Sequence, residues 1–99
     1  MFNANAYVYM LASRQNGTLY TGVANDLVAR VFQHRSGVGS KFVMRYAVHR
    51  LVWFEGHDLY AAAVTREVRI KRWRRAWKIA LIEAENKDWR DLYPEIAQP

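Results

Sequence analysis

The dipeptide Asn16-Gly17 constrains the chain more than any other feature, because two β-forming segments flank it. Residues 7–11 read Tyr-Val-Tyr-Met-Leu, and residues 18–24 are again rich in β-branched and aromatic side chains. Asn-Gly between two such segments is the strongest short-range signal for a tight hairpin. We therefore predict that residues 7–24 form a β-hairpin.

The remaining segments alternate between helical and strand patterns. Asn25 or Asp26 can cap a helix that starts at Leu27, and residues 36–40 (Ser-Gly-Val-Gly-Ser) predict a flexible loop after it. We expect a third strand over 49–55, which Gly56 and Asp58 end, a helix over about 59–73 that the same two residues cap, and a last helix over 76–85. The predicted order is ββαβαα, an α+β domain with a three-stranded antiparallel sheet flanked by helices. We place its domain over 1–86 and a short C-terminal tail over 87–99, docked through Trp89, Leu92 and Tyr93.

Positive charge is concentrated on the second predicted helix and the start of the third. The chain has 15 Lys and Arg against 9 Asp and Glu, and seven of the basic residues lie between Arg66 and Lys78 beside one acid, Glu67. Such a balance favours a polyanionic partner, above all nucleic acid. Two alternatives remain open: a solvated helix face, and a helix on a membrane surface with Trp73 and Trp77 as anchors, although a core position suits those tryptophans better in a short chain.

Composition also excludes some classes of site and location. With no cysteine, the chain has no disulfide, thiolate metal site or cysteine nucleophile. No segment approaches the length of a membrane span, and the N-terminus lacks the pattern of a signal peptide. We expect a cytoplasmic protein without membrane contact, and a monomer.

Three side chains stand out chemically before any comparison. Residues 59–77 predict one apolar stripe made of Leu59, Ala63, Ile70, Trp73 and Trp77. Glu67 lies at the edge of this stripe, so it needs a metal or a basic partner such as Arg66 or Lys71. Arg30 and His34 are four residues apart, which places them on one helix face, where together they suit a phosphate. Without further context, an ion pair for Glu67 and two exposed polar residues are the simpler interpretations.

Five ordered elements together resemble the GIY-YIG nuclease superfamily. Tyr7-Val8-Tyr9-Met10-Leu11 followed by Leu19-Tyr20-Thr21-Gly22-Val23 is similar to its two-part signature, Arg30 and His34 match its helical Arg and His, and Glu67 matches its metal-binding Glu. The helix sequence Arg66-Glu67, Ile70-Lys71 and Trp73, and the segments 39–42 and 89–92, resemble the small stand-alone bacterial members of the UPF0213 type. The resemblance covers about residues 7–86. Tyr7 and Thr21 stand where the name of the family has Gly and Ile, and Asn86, our candidate for a late family Asn, is followed by Lys87 rather than Pro.

The resemblance implies a catalytic set and a cofactor. It assigns catalytic roles to Tyr9, Tyr20, Arg30, His34 and Glu67, and an additional one to Asn86. Glu67 would be the single protein ligand of one divalent ion, Mg²⁺ or Mn²⁺, which tolerates few protein ligands because it keeps most of its waters. Tyr9 or Tyr20 would orient or deprotonate the attacking water, with nearby Arg30 lowering the tyrosine pKa and clamping the phosphate. Packing within the hairpin is the alternative for the tyrosine pair.

Two functions therefore remain open. The first is a metal-dependent endonuclease on DNA, or on RNA, that selects structure rather than sequence, since the chain shows no second, DNA-targeting domain. The second is a nucleic-acid-binding module that retains the fold without turnover. For either, we expect one phosphate-tracking face made of basic residues, namely Arg30, Lys41, Arg45, Arg66, Arg69, Lys71, Arg72, Arg74, Arg75 and Lys78.

Overall fold

The hairpin prediction is confirmed, and the strand that opens the chain lies at the centre of the sheet. The computed structural model describes residues 4–37 and 41–98, and its three strands are β1 (Ala6–Ala12), β2 (Leu19–Ala24) and β3 (Arg50–His57). All pairing is antiparallel in the order β2-β1-β3. At the turn, Asn16 adopts a φ of 59°, a left-handed conformation that Asn tolerates better than most residues. The α+β class with a three-stranded antiparallel sheet is therefore as predicted.

Strand β1 is buried along its whole length because helices cover both faces of the sheet. Its even-numbered residues, such as Val8 and Met10, join a core with Ile70 and Ile82. Its odd-numbered residues, such as Tyr9, join a second core with Val31, Val43 and Leu51. Successive side chains of a strand point to opposite faces, so β1 serves both cores at once. The predicted site residues on β1 consequently share one face.

The described residues form five helices, whereas the sequence predicted three. They are α1 (Leu27–Arg35), α2 (Lys41–Tyr46), α3 (Tyr60–Arg72), α4 (Arg75–Glu85) and α5 (Tyr93–Ile96), so the observed order is ββααβααα. The predicted order ββαβαα was wrong in omitting α2 and α5, which are too short to show a helical period and are held by burial of Val43 and Ile96. Residues 38–40 of the predicted loop, and part of the motif at 39–42, lie outside the described residues.

Of the two helix caps that the sequence predicted, the one before α1 is confirmed and the one before α3 is wrong. Asp26 caps α1, and its Oδ1 accepts a hydrogen bond from the Ala29 amide at 3.0 Å. Helix α3 was predicted to follow a cap at Asp58, but its N-cap is Leu59, which has no side-chain cap hydrogen bond. Gly56 does not end the third strand, because β3 continues through His57.

The predicted apolar stripe from residue 59 to residue 77 does not exist as one surface. Ala63 and Ile70 are fully buried, but Leu59 is 68% exposed and Trp77 is 52% exposed. The chain leaves helical geometry at Trp73 and Arg74 before α4 begins, so a helical wheel drawn across the break places Trp77 wrongly. A core position for Trp77 was therefore wrong, whereas Trp73 is partly buried against the core.

The residues after Asn86 pack into both cores, as the predicted docking through Trp89, Leu92 and Tyr93 implied. Trp89 is fully buried, and Leu92 donates its amide to the Leu51 carbonyl at 2.8 Å. Asp91 accepts from the Leu51 amide at 3.2 Å and from Arg35 Nη1 at 2.8 Å. These contacts hold the C-terminal segment against β3 and the end of α1.

Candidate active site

Tyr9 and His34 form a buried hydrogen-bonded pair at the centre of the site. The Tyr9 hydroxyl lies 3.0 Å from Nε2 of His34, and the two residues are 0% and 2% exposed. Tyr9 comes from β1, and His34 from the face of α1 that also buries Leu27 and Val31. Because α1 packs on the odd-numbered side of β1, the fold brings the two side chains together.

Tyr20 extends this pair toward the surface. Its ring centre lies 6.3 Å from that of Tyr9 and 5.4 Å from that of His34, and the residue is half-buried. Gly22 leaves room for the Tyr9 ring. It pairs with Tyr9 across the hairpin, and a Cβ at this position would lie 2.5 Å from the Tyr9 hydroxyl oxygen. The role of Gly22 in seating Tyr9 was missed from the sequence, although its position opposite Tyr9 in the hairpin was a usable signal.

Arg30 is exposed and lies beside the same cluster. Its Nη1 donates to the Val23 carbonyl at 3.5 Å, and its charge acts on both Tyr9 and His34. Burial raises the pKa of Tyr9, and Tyr20 raises it further, while Arg30 lowers it. The expectation that nearby cationic charge would leave a tyrosine with a lowered pKa is therefore wrong for Tyr9 in the free protein, because burial outweighs Arg30.

His34 is the hydrogen-bond partner of Tyr9, and its surroundings favour the neutral imidazole. Burial lowers its pKa below the ordinary value of 6.5, and the charges of Arg30 and His49 lower it further. The imidazole is thus neutral at neutral pH, and its Nε2 can accept the Tyr9 proton or donate to the phenol oxygen, according to the tautomer. The Nδ1 atoms of His34 and His49 are both buried and have no hydrogen-bond partner among the described residues.

Glu67 lies on α3, which is on the other side of the sheet from α1 and His34. Helix α3 packs on the even-numbered face of β1, and Oε2 of Glu67 lies 2.9 Å from Nζ of Lys71. Lys71 in turn lines a shallow depression along the β2 edge of the sheet, together with Leu19, Tyr20, Thr21, Phe42 and Lys78. Lys71 thus contacts Glu67 and also lines the depression that contains Tyr20. An ion pair with Lys71 is one of the two interpretations of Glu67 that the sequence left open.

The donor set restricts which metal the chain could hold. Within residues 4–37 and 41–98, no three His, Asp or Glu side chains are grouped closely enough to bind an ion together. Glu67 offers a single carboxylate. Its side chain is 12% exposed, and it is paired with Lys71, whose side chain is half-exposed. A single carboxylate fits an ion such as Mg²⁺, which keeps several waters and uses phosphate oxygens as further ligands, provided that Lys71 turns away.

Asn86 is engaged in holding the C-terminal segment. Its Nδ2 donates to the carbonyls of Val52 at 3.0 Å and Arg90 at 2.8 Å, and its Oδ1 accepts from the Arg90 amide at 3.0 Å. The residue is 5% exposed. The structure therefore gives Asn86 a structural role and does not join it to the Tyr9–His34 pair.

The predicted basic residues make different contacts in the structure. Arg66 contacts both carboxylate oxygens of Glu55 on β3, at 3.1 and 3.3 Å, whereas Lys71 and Lys78 lie at the opposite edge beside β2. Arg75 donates to the carbonyls of Asn16 and Gly17 in the hairpin turn. The other predicted residues are exposed, and two of them lie over aromatic rings, Arg45 over Tyr46 and Arg74 over Trp77; the exposed set is Arg30, Lys41, Arg45, Arg69, Arg72 and Arg74.

The described part of the chain contains no helix that is both long enough and apolar enough to cross a lipid bilayer.

The chain is similar to known proteins over most of its length. Residues 5–80 match the GIY-YIG catalytic domain family. The chain is 36% identical over 76 residues to a UPF0213 protein of Staphylococcus saprophyticus, and the aligned region covers 77% of this chain and 92% of that protein. It is 40% identical over 78 residues to a UPF0213 protein of Staphylococcus aureus, with 78% and 93% covered.

A solved structure extends the agreement to the fold. The solution structure of a UPF0213 protein from Bacillus halodurans is 26% identical, covers 95% of this chain and 98% of that chain, and superposes with a TM-score of 0.55. The match to the family spans both tyrosines, Arg30, His34 and Glu67. The chain belongs to the GIY-YIG catalytic domain family, and so to a family of nucleases.

Proposed function

We propose that this chain is a divalent-metal-dependent endonuclease that hydrolyses phosphodiester bonds in DNA and selects its substrate by structure rather than sequence. The observation that carries the proposal is the buried Tyr9–His34 hydrogen bond of 3.0 Å, with Tyr20 in ring contact and Arg30 beside it. Burying the polar Tyr9–His34 pair costs desolvation free energy. In return, His34 supplies a proton acceptor and Arg30 supplies a phosphate ligand, and hydrolysis requires both.

The residues can share the work of hydrolysis. A water that attacks phosphorus must lose a proton as the ester P–O bond breaks. The water can pass its proton to the Tyr20 hydroxyl, Tyr20 can pass its own proton to the neighbouring Tyr9 hydroxyl, and Tyr9 can pass its phenol proton to Nε2 of neutral His34, which leaves both tyrosines neutral. This relay suits a Tyr9 whose pKa is raised, because it needs no standing phenolate. Tyr20, more exposed than Tyr9, is the tyrosine that can contact the water.

Charge stabilisation would come from Arg30 and from the ion. The exposed Arg30 guanidinium can bind two phosphate oxygens while its neighbours hold the attacking water. An ion held by Glu67 would neutralise the phosphate and assist the leaving oxygen. No element of the described chain resembles a reader of base edges, which supports selection by structure.

The test compares Glu67→Ala and Arg30→Ala with the wild type on duplex, nicked, forked and single-stranded DNA, with Mg²⁺, Mn²⁺ or a chelator. Glu85→Ala is the matched control, because it removes the same charge from an exposed position on α4. We expect both site variants to lose cleavage. Binding to DNA should survive or tighten in Glu67→Ala and weaken slightly in Arg30→Ala, since Glu67 would act only through the ion.

Binding itself should depend steeply on salt. Each phosphate that the basic residues neutralise contributes about −0.9 to the slope of log affinity against log salt on duplex DNA. Equal cleavage by the wild type and Glu67→Ala would refute the assignment of Glu67. Melting curves of each variant must accompany the assay, because loss of the Lys71 pair alone could lower stability.

A second function has one observation in its favour. The Glu67 carboxylate is paired with Lys71 at 2.9 Å. This ion pair occupies the group that would hold the metal, and so it favours a domain that binds nucleic acid without catalysis. In that case the wild type would bind DNA in a salt-sensitive manner but cut none of the four substrates with either metal. Cleavage that is lost on adding a chelator would exclude this second function.

A further inference from the structure

A row of aromatic rings runs outward from the buried tyrosine to the surface of α2. Ring centres are separated by 6.3 Å from Tyr9 to Tyr20, 5.9 Å from Tyr20 to Phe42, and 4.8 Å from Phe42 to Tyr46. Tyr9 is fully buried, whereas Phe42 is 40% exposed and Tyr46 is 44% exposed. The row therefore begins at the proposed catalytic pair and ends on rings that solvent reaches.

Positive charge borders the row on both sides. The Arg45 guanidinium lies 5.6 Å from the centre of the Tyr46 ring. On the other side, Lys71 and Lys78 line the same depression as Tyr20 and Phe42. A ligand seated along this surface would meet π faces in the middle and cations at the edges.

A strand of nucleic acid with unpaired bases has this chemistry. Its bases are planar and stack on aromatic side chains whatever their identity, while its phosphates need cations alongside. A base-paired duplex cannot offer its base faces in this way, because they are already stacked on one another. Helix α2 is not needed for the proton relay of Tyr9 and His34, so its exposed rings have no role in the chemistry itself.

We propose that Phe42 and Tyr46, which we call the α2 platform, stack unpaired nucleobases of a DNA strand and so seat single-stranded or splayed DNA beside Tyr20 and Arg30. The proposal rests on the proposed function for its choice of ligand. Its test is independent of cleavage, because binding is measured without metal.

The experiment uses the full chain with a chelator and two probes, a labelled oligo(dT) of about 20 nucleotides and a blunt duplex of the same length. Phe42→Leu and Tyr46→Leu should each weaken oligo(dT) binding by about tenfold, in the range for one lost base–aromatic stack, and change duplex binding less than about twofold. A 2-aminopurine base in the oligonucleotide should lose fluorescence on binding the wild type and regain it with either variant. Two exposed positions are used so that a folding defect in one leaves the other informative.

Phe32→Leu is the matched control. Phe32 is 59% exposed on α1, and its position two residues before His34 turns it to the opposite side of that helix. This variant should bind oligo(dT) and quench 2-aminopurine as the wild type does. Equal weakening by Phe32→Leu would mean that exposed aromatic area in general, and not the α2 platform, drives binding, and would overturn the proposal.

Other outcomes separate this proposal from the nuclease assignment. If the platform variants bind oligo(dT) as tightly as the wild type, the platform is refuted, whether or not the wild type cuts DNA. If they lose oligo(dT) binding and quenching while the wild type never cuts, the platform stands and the nuclease assignment fails. If they instead lose binding to vesicles containing anionic phospholipid and keep oligo(dT) binding, α2 is a membrane contact and the proposal is wrong.

Discussion

Replacing Gly22 with alanine should disturb the candidate active site although it replaces none of the proposed catalytic residues. A Cβ at this position would lie 2.5 Å from the hydroxyl oxygen of Tyr9 and 2.6 Å from its Cζ. Contacts this short require movement, and the Tyr9 ring has little freedom because it is fully buried between β1 and α1. The ring must therefore shift away from Gly22, and the 3.0 Å hydrogen bond to His34 should lengthen or break.

The magnitude follows from two opposing effects. Overpacking a filled core typically costs about 1–3 kcal/mol, and the lower entropy of an unfolded chain with Ala instead of Gly returns about 0.4–1 kcal/mol. We expect Gly22→Ala to lower the free energy of unfolding by roughly 1–2 kcal/mol, which for a domain of this size shifts the melting temperature by about 4–16 °C. Cleavage well below the melting temperature should fall much further, since a small displacement of catalytic groups can reduce rates about a hundredfold.

The assay pairs thermal melting with metal-dependent cleavage, and Gly56→Ala is the control. A Cβ at Gly56 would lie 2.7 Å from the Cβ of Ala4, so this substitution also creates a short contact in a strand, but at a residue that pairs with Tyr7 and whose Cβ would meet no atom of Tyr9. Gly56→Ala should therefore retain cleavage at a temperature where it is folded. A Gly22→Ala protein with the stability and cleavage rate of the wild type would refute the argument that Gly22 seats Tyr9.

Further predictions concern the buried histidine and the C-terminal segment. Since the folded-state pKa of His34 is lowered, the unfolded state binds more protons just below pH 6.5, so the free energy of unfolding should fall as the pH drops through that window, and His34→Gln should flatten this part of a pH series of denaturant melts. Asp91→Ala should cost about 2–3 kcal/mol in urea unfolding, because it leaves the Leu51 and Tyr93 amides without their acceptor. Asn86→Ala should cost a similar amount while sparing cleavage at low temperature, and a selective loss of cleavage would return Asn86 to the catalytic set.

The sequence predicted the sheet well because its signals are local. The Asn-Gly turn and the alternating residues around Tyr9 determine the hairpin within about twenty positions. The short helices α2 and α5 were not predictable in this way, since each has one deeply buried residue, Val43 or Ile96, and forms only because the rest of the core is present. Tertiary contact decides such segments.

The candidate site was predictable in its residue types and less so in its electrostatics. The i, i+4 spacing of Arg30 and His34 placed both on one helix face, and the structure brings that face to Tyr9. Spacing could not show that Tyr9 would be wholly buried, and burial decides the direction of its pKa shift. Nor could it show that Arg66 would contact Glu55, because that contact joins a helix to the far edge strand.

Strand β1 carries Tyr9 at the middle of the sheet, with both neighbouring strands hydrogen bonded to it and a core on each face. Amide protons of such a strand exchange with solvent mainly through global unfolding, because no smaller opening exposes them. Tyr9 is therefore held in position only when the whole domain has folded. By the same reasoning, a chain that is still being synthesised, or one whose C-terminal segment has been removed by proteolysis, would not hold Tyr9 and His34 together.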